Sequence, residues 1–74
     1  MYNEQDFKRI LALNIKLERI KKHLTQERLA ELASISPKHI TKIENSGVFP
    51  SIYLVYRIAF VLNVSIDKLL QEPN

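Results

Sequence analysis

The sequence predicts an all-α fold, a compact five-helix bundle formed as a single domain over residues 1–74. The chain has only one glycine, and no segment alternates apolar and polar residues as a half-buried strand would. Polar residues of the types that cap helix N-termini precede five segments with apolar residues at helical spacing. The connections between these segments are short, as in packed helical bundles.

The five predicted helices are taken in chain order. The predicted ranges are 4–22, 25–33, 36–45, 51–62 and 65–71, with N-caps at Asn3, Thr25, Ser36, Ser51 and Ser65. In the first helix, Asp6 follows Asn3 by three positions, an arrangement similar to a capping box. Its apolar residues recur at helical spacing: Phe7, Ile10, Leu11, Leu13, Ile15, Leu17 and Ile20.

The later helices have equally clear limits. Pro37 stands at the first position of the third helix, where its missing N–H removes no helical hydrogen bond. Gly47 is expected to end that helix, because glycine is the commonest residue after a helix C-terminus. One face of the fourth helix is expected to lie in the core; its residues are Ile52, Val55, Ile58, Ala59 and Leu62.

Composition excludes several classes of protein. Hydrophobic residues make up 46% of the chain, too many for a disordered segment. The absence of cysteine excludes disulfides and thiolate metal sites. No apolar run approaches the roughly 20 residues that span a bilayer, and the N-terminus lacks a signal-peptide pattern, so we expect no membrane contact and a cytoplasmic location. The net charge of +3 is compatible with a polyanionic partner.

No arrangement of residues indicates catalysis, a cofactor or a small-molecule ligand. Ser36 and His39 could suggest a nucleophile and a base, but N-capping accounts for Ser36 and no third orienting group is visible. His23 and His39 lie apart without other ligands, which argues against a metal site. Glu27 and Glu31 are spaced as a surface pair on a helix. We therefore expect neither an enzyme nor a cofactor.

Residues 26–45, QERLAELASISPKHITKIEN, are the most informative segment. Its apolar residues can bury two short helices against the rest of the bundle, and Ala30 is small enough for a close crossing. A short turn around Ser34 would set the two helices near a right angle. The outer face of the third helix would then project basic and hydrogen-bonding side chains, which suits the ~12 Å wide major groove of B-DNA.

The chain resembles the lambda repressor/Cro (XRE-like) family of helix-turn-helix regulators. The similar segments are LTQERLAELASIS, HITKIEN and FPSIYLVYRIAFVLNVS, together with an arginine that precedes Gln26 by seven residues. The resemblance runs from about Asn14 to Leu70. It implies a lambda-repressor-like fold with the helix-turn-helix at helices 2 and 3, and sequence-specific binding of a palindromic operator in double-stranded DNA by a homodimer that regulates transcription.

The resemblance also implies roles for individual residues. Gln26 and Asn45 would approach the phosphate backbone. Arg19 and Glu44 would form an ion pair between the first and third helices. The residues that would face the groove are Ser36, Pro37, Lys38, Thr41 and Lys42, and His39 stands as an open choice between a DNA contact and an ordinary surface residue.

The chain departs from the family pattern at several points. Ser34 stands where the turn usually has glycine, and His23 replaces another common glycine. A positive φ at Ser34 would cost on the order of 1 kcal/mol. Val48 and Phe49 occupy a loop that is often basic or polar. Taken alone, the spacing of Lys38 and Lys42 favours an ordinary solvated helix face. If the two lysines belong to a helix-turn-helix, contact with bases or phosphates is favoured.

The fourth helix is apolar nearly all round, with Arg57 as its only charge. The aromatic stripe Tyr53, Tyr56 and Phe60 can be explained by packing against Phe7, Leu13 and Leu17 of the first helix. The hypothesis that we prefer is a homodimer interface formed by Tyr53, Tyr56, Phe60, Leu69 and Leu70, since aromatic residues are enriched in interface cores. An alternative function is a helical protein–protein interaction module, such as an antitoxin or antirepressor-like partner, that uses this helix. RNA binding is a weaker reading, because no stacking aromatics adjoin the basic face.

Overall fold

The computed structural model describes residues 2–73 and is helical, with no strand in that range. The helices are α1 (Glu4–Lys21), α2 (Gln26–Ala33), α3 (Pro37–Glu44), α4 (Ile52–Leu62) and α5 (Ile66–Leu70). The all-α, five-helix prediction is confirmed. The predicted ranges are longer by a residue at some ends because they include capping residues, which have non-helical backbone.

All five helices begin with the predicted N-cap. The capping side chains accept a hydrogen bond from the backbone N–H three residues later, as seen for Asn3, Thr25, Ser36, Ser51 and Ser65. Each bond satisfies an N–H group that would otherwise have no partner inside its helix. The starts of the helices are therefore determined by local sequence.

A residue with left-handed backbone follows the last turn of four helices, and none of these residues is glycine. Their φ angles lie between 57° and 60°, at His23, Ser34, Ser46 and Asn63. The expectation that Gly47 ends α3 is wrong in one respect, because Ser46 takes the left-handed position. Gly47 instead donates its N–H to the Lys42 carbonyl at 2.8 Å, and a Cβ there would lie 3.2 Å from that oxygen.

All five helices enclose the core: α2 packs on α3 and α4, and α1 packs on α3, α4 and α5. Its fully buried large side chains are Leu11, Ile15, Leu29, Ile40, Ile43, Ile58, Leu62 and Leu69. Ala30 is completely buried, as a close crossing of α2 and α3 requires. Ile52 departs from the predicted core face, with 69% of its surface exposed. It lies in the first turn of α4, beyond the reach of the neighbouring helices.

One buried polar residue fastens the C-terminal helix. The Asn14 side-chain amide donates to the carbonyl oxygen of Leu69 at 2.8 Å and to that of Gln71. These carbonyls belong to the last turn of α5, where helical partners are lacking. Asn14 is thus satisfied in the core and links α1 to α5.

Candidate nucleic-acid interface

The outer face of α3 carries the side chains expected to meet DNA. Ser36, Pro37, Lys38, Lys42 and Asn45 are exposed, and His39 and Thr41 are half-buried. Neither lysine forms an ion pair with another residue in the range 2–73. This face therefore presents two positive charges that no carboxylate of the described chain neutralises.

These groups surround a shallow hollow. Its volume is about 330 Å³, and its lining residues are Ser36, Lys38, His39, Lys42 and Val48. The backbone conformation at Ser36 and the ring of Pro37 fix where α3 begins. The spacing of four residues then places Lys38 and Lys42 on the same face, one turn apart. The structure thus brings His39 together with both lysines at one open depression.

A hydrogen-bonded ion pair fixes the base of α3. The Arg19 Nε lies 2.8 Å from Glu44 Oε2, and its Nη2 lies 3.1 Å from Oε1. The third nitrogen, Nη1, donates to the carbonyl of Leu24 at 2.7 Å. Glu44 is buried and the Arg19 side chain is 12% exposed. This two-bond geometry holds the end of α1 against the end of α3, and both charges are satisfied.

Gln26 extends that ion pair into a network across three helices. Its Nε2 donates to Glu44 Oε1 at 3.0 Å, and its Oε1 accepts from the Thr41 hydroxyl at 2.9 Å. An amide nitrogen has two N–H groups, so the second N–H of Gln26 can still meet a phosphate. The Thr41 hydroxyl also lies 3.1 Å from the Pro37 carbonyl, which leaves its methyl group as the part suited to a base contact.

The loop between α3 and α4 is apolar and tied to the N-terminal helix. Phe49 packs edge-to-face on Phe7, with ring centroids 6.1 Å apart, and Val48 lies partly buried against the core. Phe49 remains 44% exposed. This loop offers backbone groups and apolar surface beside α3, but no basic side chain.

The aromatic residues of α4 form an uncovered ridge. Tyr53, Tyr56 and Phe60 are 63%, 52% and 75% exposed, and successive rings lie 6.3 Å and 6.4 Å apart. We name these three residues the aromatic ridge. The suggestion that α1 covers it is wrong, because Leu13 and Leu17 are themselves exposed and Phe7 faces Phe49.

Two hollows flank the ridge. One, of about 180 Å³, lies towards the helix-turn-helix, between Leu32 and Ser34 on one side and the ridge residues Tyr56 and Phe60 on the other. The second, of about 350 Å³, is bounded by Tyr56, Phe60 and the connection from α4 to α5. Tyr56 and Phe60 therefore border both hollows.

The predicted interface needs a correction at α5. Leu69 is completely buried within the chain, so it offers no surface to a partner. Leu70 is only partly exposed and packs against the core. Both side chains support the position of α5, because the five-residue helix needs its apolar residues to anchor it.

Arg57 was not singled out by the sequence beyond its charge. Its Nη2 donates to the Ser34 carbonyl at 2.9 Å, and its guanidinium carbon lies 5.5 Å from the centre of the Tyr53 ring. The sequence signal was a lone cation on an apolar helix. Tyr53 lies one helical turn before it, but Ser34 is 23 positions away and is adjacent only in the folded chain.

Residues 2–73 contain neither a membrane-spanning helix nor a cluster of metal-binding side chains. No helix there is long and apolar enough to cross a bilayer. No group of three or more histidine, cysteine or carboxylate side chains is placed to hold a metal ion.

A profile of the helix-turn-helix family HTH_3 matches residues 15–69. This range contains α2, α3 and α4, the last seven of the 18 residues of α1, and most of α5. None of the curated protein sequences compared with the chain matches it.

Several solved structures have similar folds, and transcriptional regulators are among them. A hypothetical transcription factor, NHTF from Neisseria, is 27% identical with a TM-score of 0.89, covering 99% of this chain and 84% of that protein. An HTH_3 family transcriptional regulator from Vibrio cholerae is 25% identical, with a TM-score of 0.85 over 90% of this chain and 38% of that protein. The restriction-modification controller protein C.AhdI from Aeromonas hydrophila has a TM-score of 0.85 over 92% of this chain and 99% of that protein; at 19% identity it shows a shared fold.

Proposed function

The chain belongs to the HTH_3 family of DNA-binding helix-turn-helix regulators and is not an enzyme, and from this premise we propose that it binds a specific double-stranded DNA site as a homodimer to regulate transcription. Residues 1–74 act as one DNA-binding domain under this proposal. Its site of action is the cytoplasm, and it needs no cofactor or small-molecule ligand.

The observation that carries the proposal is the unpaired basic face on a rigidly held helix. Lys38 and Lys42 project from α3 with no carboxylate partner in residues 2–73. The Arg19–Glu44 ion pair and its Gln26 extension hold the opposite side of that helix. A helix whose buried side is fixed and whose outer side is positively charged fits the major groove, where base edges present acceptor atoms.

Each residue of the face has a role that its chemistry allows. Lys38 and Lys42 are suited to guanine O6 and N7, while the Thr41 methyl and the Pro37 ring are suited to thymine methyl groups. Gln26 and Asn45 would donate to phosphates, which position the protein without reading sequence. His39 lines the same hollow as both lysines, which supports a DNA contact by its imidazole.

Dimer formation is supported by the aromatic ridge. Tyr53, Tyr56 and Phe60 form a continuous, largely exposed apolar stripe, and large exposed apolar patches mark interaction sites in monomeric domains. A two-fold axis through this stripe would pair it with itself. Two α3 helices would then read half-sites about one helical turn apart, ~34 Å.

Selection of bound sequences from random duplex DNA tests the function. The proposal predicts enrichment of an inverted repeat whose half-site centres lie about ten base pairs apart. Guanine is expected at the base positions that the lysines contact. The preference for guanine there should be lost when selection is repeated with a Lys38→Ala, Lys42→Ala double variant. A selected pool with no common motif, at a salt concentration that suppresses non-specific binding, contradicts the proposal.

The same exposed ridge favours a second candidate, a protein–protein interaction module. In that case the ridge would bind a different protein, and DNA affinity would be weak and unselective. The two candidates differ in salt dependence. A DNA-binding protein loses affinity steeply as salt rises because counterions are released from phosphates, whereas an apolar protein contact changes little.

A further inference from the structure

Arg57 lies between the two surfaces that the proposed function uses. Its Nη2 donates to the Ser34 carbonyl at 2.9 Å, and Ser34 is in the turn between α2 and α3. The same guanidinium lies 5.5 Å from the centre of the Tyr53 ring, and Tyr53 belongs to the aromatic ridge. One side chain therefore contacts both the turn that orients α3 and the surface offered to a second copy.

The residue that Arg57 contacts in the turn, Ser34, has a strained backbone conformation. Ser34 adopts φ 58°, a conformation that a residue with a Cβ enters only at a cost. Its N–H is bonded to carbonyls of α2, and its carbonyl accepts from Arg57. The angle between α2 and α3 depends on this residue, since the two helices meet there.

Water determines how strong the Arg57 contacts are. In the single chain Tyr53 is 63% exposed, and the hydrogen bond to Ser34 is open to solvent. Solvent weakens both a cation–π contact and a charged hydrogen bond, and both gain strength when water is excluded. A second copy that covered the ridge would exclude that water, because Arg57 lines the hollow between Ser34 and Phe60.

We propose that Arg57 is a positioning residue that couples dimer formation to the helix-turn-helix. Dimerisation strengthens its bond to the Ser34 carbonyl and so fixes the turn in the conformation that α3 needs on DNA. By reciprocity, DNA binding that fixes the turn strengthens dimerisation. The inference rests on the proposed function for its two surfaces, and it adds the residue through which they act on each other.

The experiment measures the dimer Kd by fluorescence-detected sedimentation, with and without saturating half-site duplex. The probe is a duplex that carries one half of the selected site, so two protomers cannot be joined through one DNA molecule. The ratio of the two Kd values measures coupling, and repulsion between duplexes affects all variants equally. The wild-type ratio should exceed that of Arg57→Met at least fivefold, within the range usual for coupled sites.

Arg57→Lys is the conservative variant, and it provides the test if Arg57→Met does not fold. A lysine keeps the charge, but its single ammonium cannot bond Ser34 and cover the Tyr53 ring at once, so the ratio should fall between the other two. If Arg57→Met does not fold, a ratio for Arg57→Lys equal to that of the wild type overturns the inference. A lower ratio, with unchanged thermal unfolding, supports it because a purely structural role would not change coupling.

The outcomes separate this inference from the proposed function. Equal ratios in wild type and Arg57→Met, with dimers formed by both, overturn the role of Arg57 and leave the proposed function intact. A wild type that stays monomeric in both conditions, or that binds the half-site no better than a scrambled duplex, contradicts the proposed function and the coupling with it.

Discussion

At the scale of single residues, Ser34 in the turn of the helix-turn-helix has a strained backbone conformation that a substitution can relieve. Ser34 holds φ 58°, where a side chain crowds the following carbonyl. Ser34→Gly should raise the free energy of unfolding by about 0.5–1 kcal/mol, the relief of strain being partly offset by the greater freedom of glycine in the unfolded chain. Chemical denaturation measures the change.

Ser34→Ala is the matched control for that prediction. Alanine keeps the Cβ and removes only the hydroxyl, which forms no hydrogen bond among residues 2–73. It should therefore leave stability unchanged or slightly lower. A gain from alanine equal to that from glycine would mean that φ is not the source of the effect.

The lysines of α3 provide the residue-scale prediction for DNA. Lys42→Ala and Lys38→Ala should each weaken binding of the selected site by roughly 1–3 kcal/mol and relax base preference. Fluorescence anisotropy with the selected duplex and with single-base variants measures both effects. Lys16→Ala is the control, since Lys16 is an exposed lysine on α1 and should alter affinity much less.

Equal losses on selected and random DNA would contradict the assignment of Lys38 and Lys42 to base reading. They would then be phosphate contacts, and the salt slope would fall by about one for each lysine removed.

At the scale of helices, α3 is held by a buried ion pair and not by apolar packing alone. Glu44 is buried and accepts from both Arg19 and Gln26. Arg19→Met leaves the carboxylate in the core without its cation, and loss of one partner of a buried pair costs about 3–5 kcal/mol. Urea denaturation should show a loss of that size.

An exposed ion pair supplies the comparison. Arg28 and Glu31 contact each other on the outer face of α2, where water competes for both charges. Arg28→Met should change stability by less than about 1 kcal/mol. Similar losses in the two variants would contradict a structural role specific to Arg19 and Glu44.

Helix boundaries show what the sequence can and cannot predict. N-terminal caps follow from a side chain and a backbone group three residues apart, so Thr25 and Ser36 could be assigned from sequence. The end of α3 could not, because Ser46 takes the left-handed position, while Gly47 approaches the Lys42 carbonyl so closely that a Cβ would be 3.2 Å from its oxygen. Ile52 matched the helical spacing of the core but lies in the first turn of α4, where no helix covers it.

Long-range polar contacts were the other part that the sequence did not reveal. Asn14 bonds to the end of α5, and Arg57 bonds to the helix-turn-helix turn. Both are ordinary helix residues by local criteria, and their partners are defined only by how the helices pack. The Arg19–Glu44 pair was expected because the family resemblance supplied it, which spacing alone would not have done.

At the scale of the whole molecule, we propose that the aromatic ridge controls assembly. Phe60 is 75% exposed and adjoins both hollows. Phe60→Ser should shift sedimentation at micromolar concentration from dimer to monomer, with little change in helix content, because the side chain is not part of the core.

Ile52→Ser is the matched control for Phe60. Ile52 is similarly exposed on the same helix but lies outside the aromatic ridge, and its substitution should leave the dimer in place. A wild-type protein that sediments only as an 8.7 kDa species, even with DNA present, would contradict the proposed homodimer.

Sequence-specific DNA binding is the central claim, and the most direct test is the ratio of two affinities at physiological salt. Anisotropy titrations would compare the selected inverted repeat with a duplex of the same composition in scrambled order. The account predicts at least about a thousandfold preference for the selected site, as is usual for specific DNA-binding proteins. A ratio near one, with both affinities falling equally as salt rises, would contradict it.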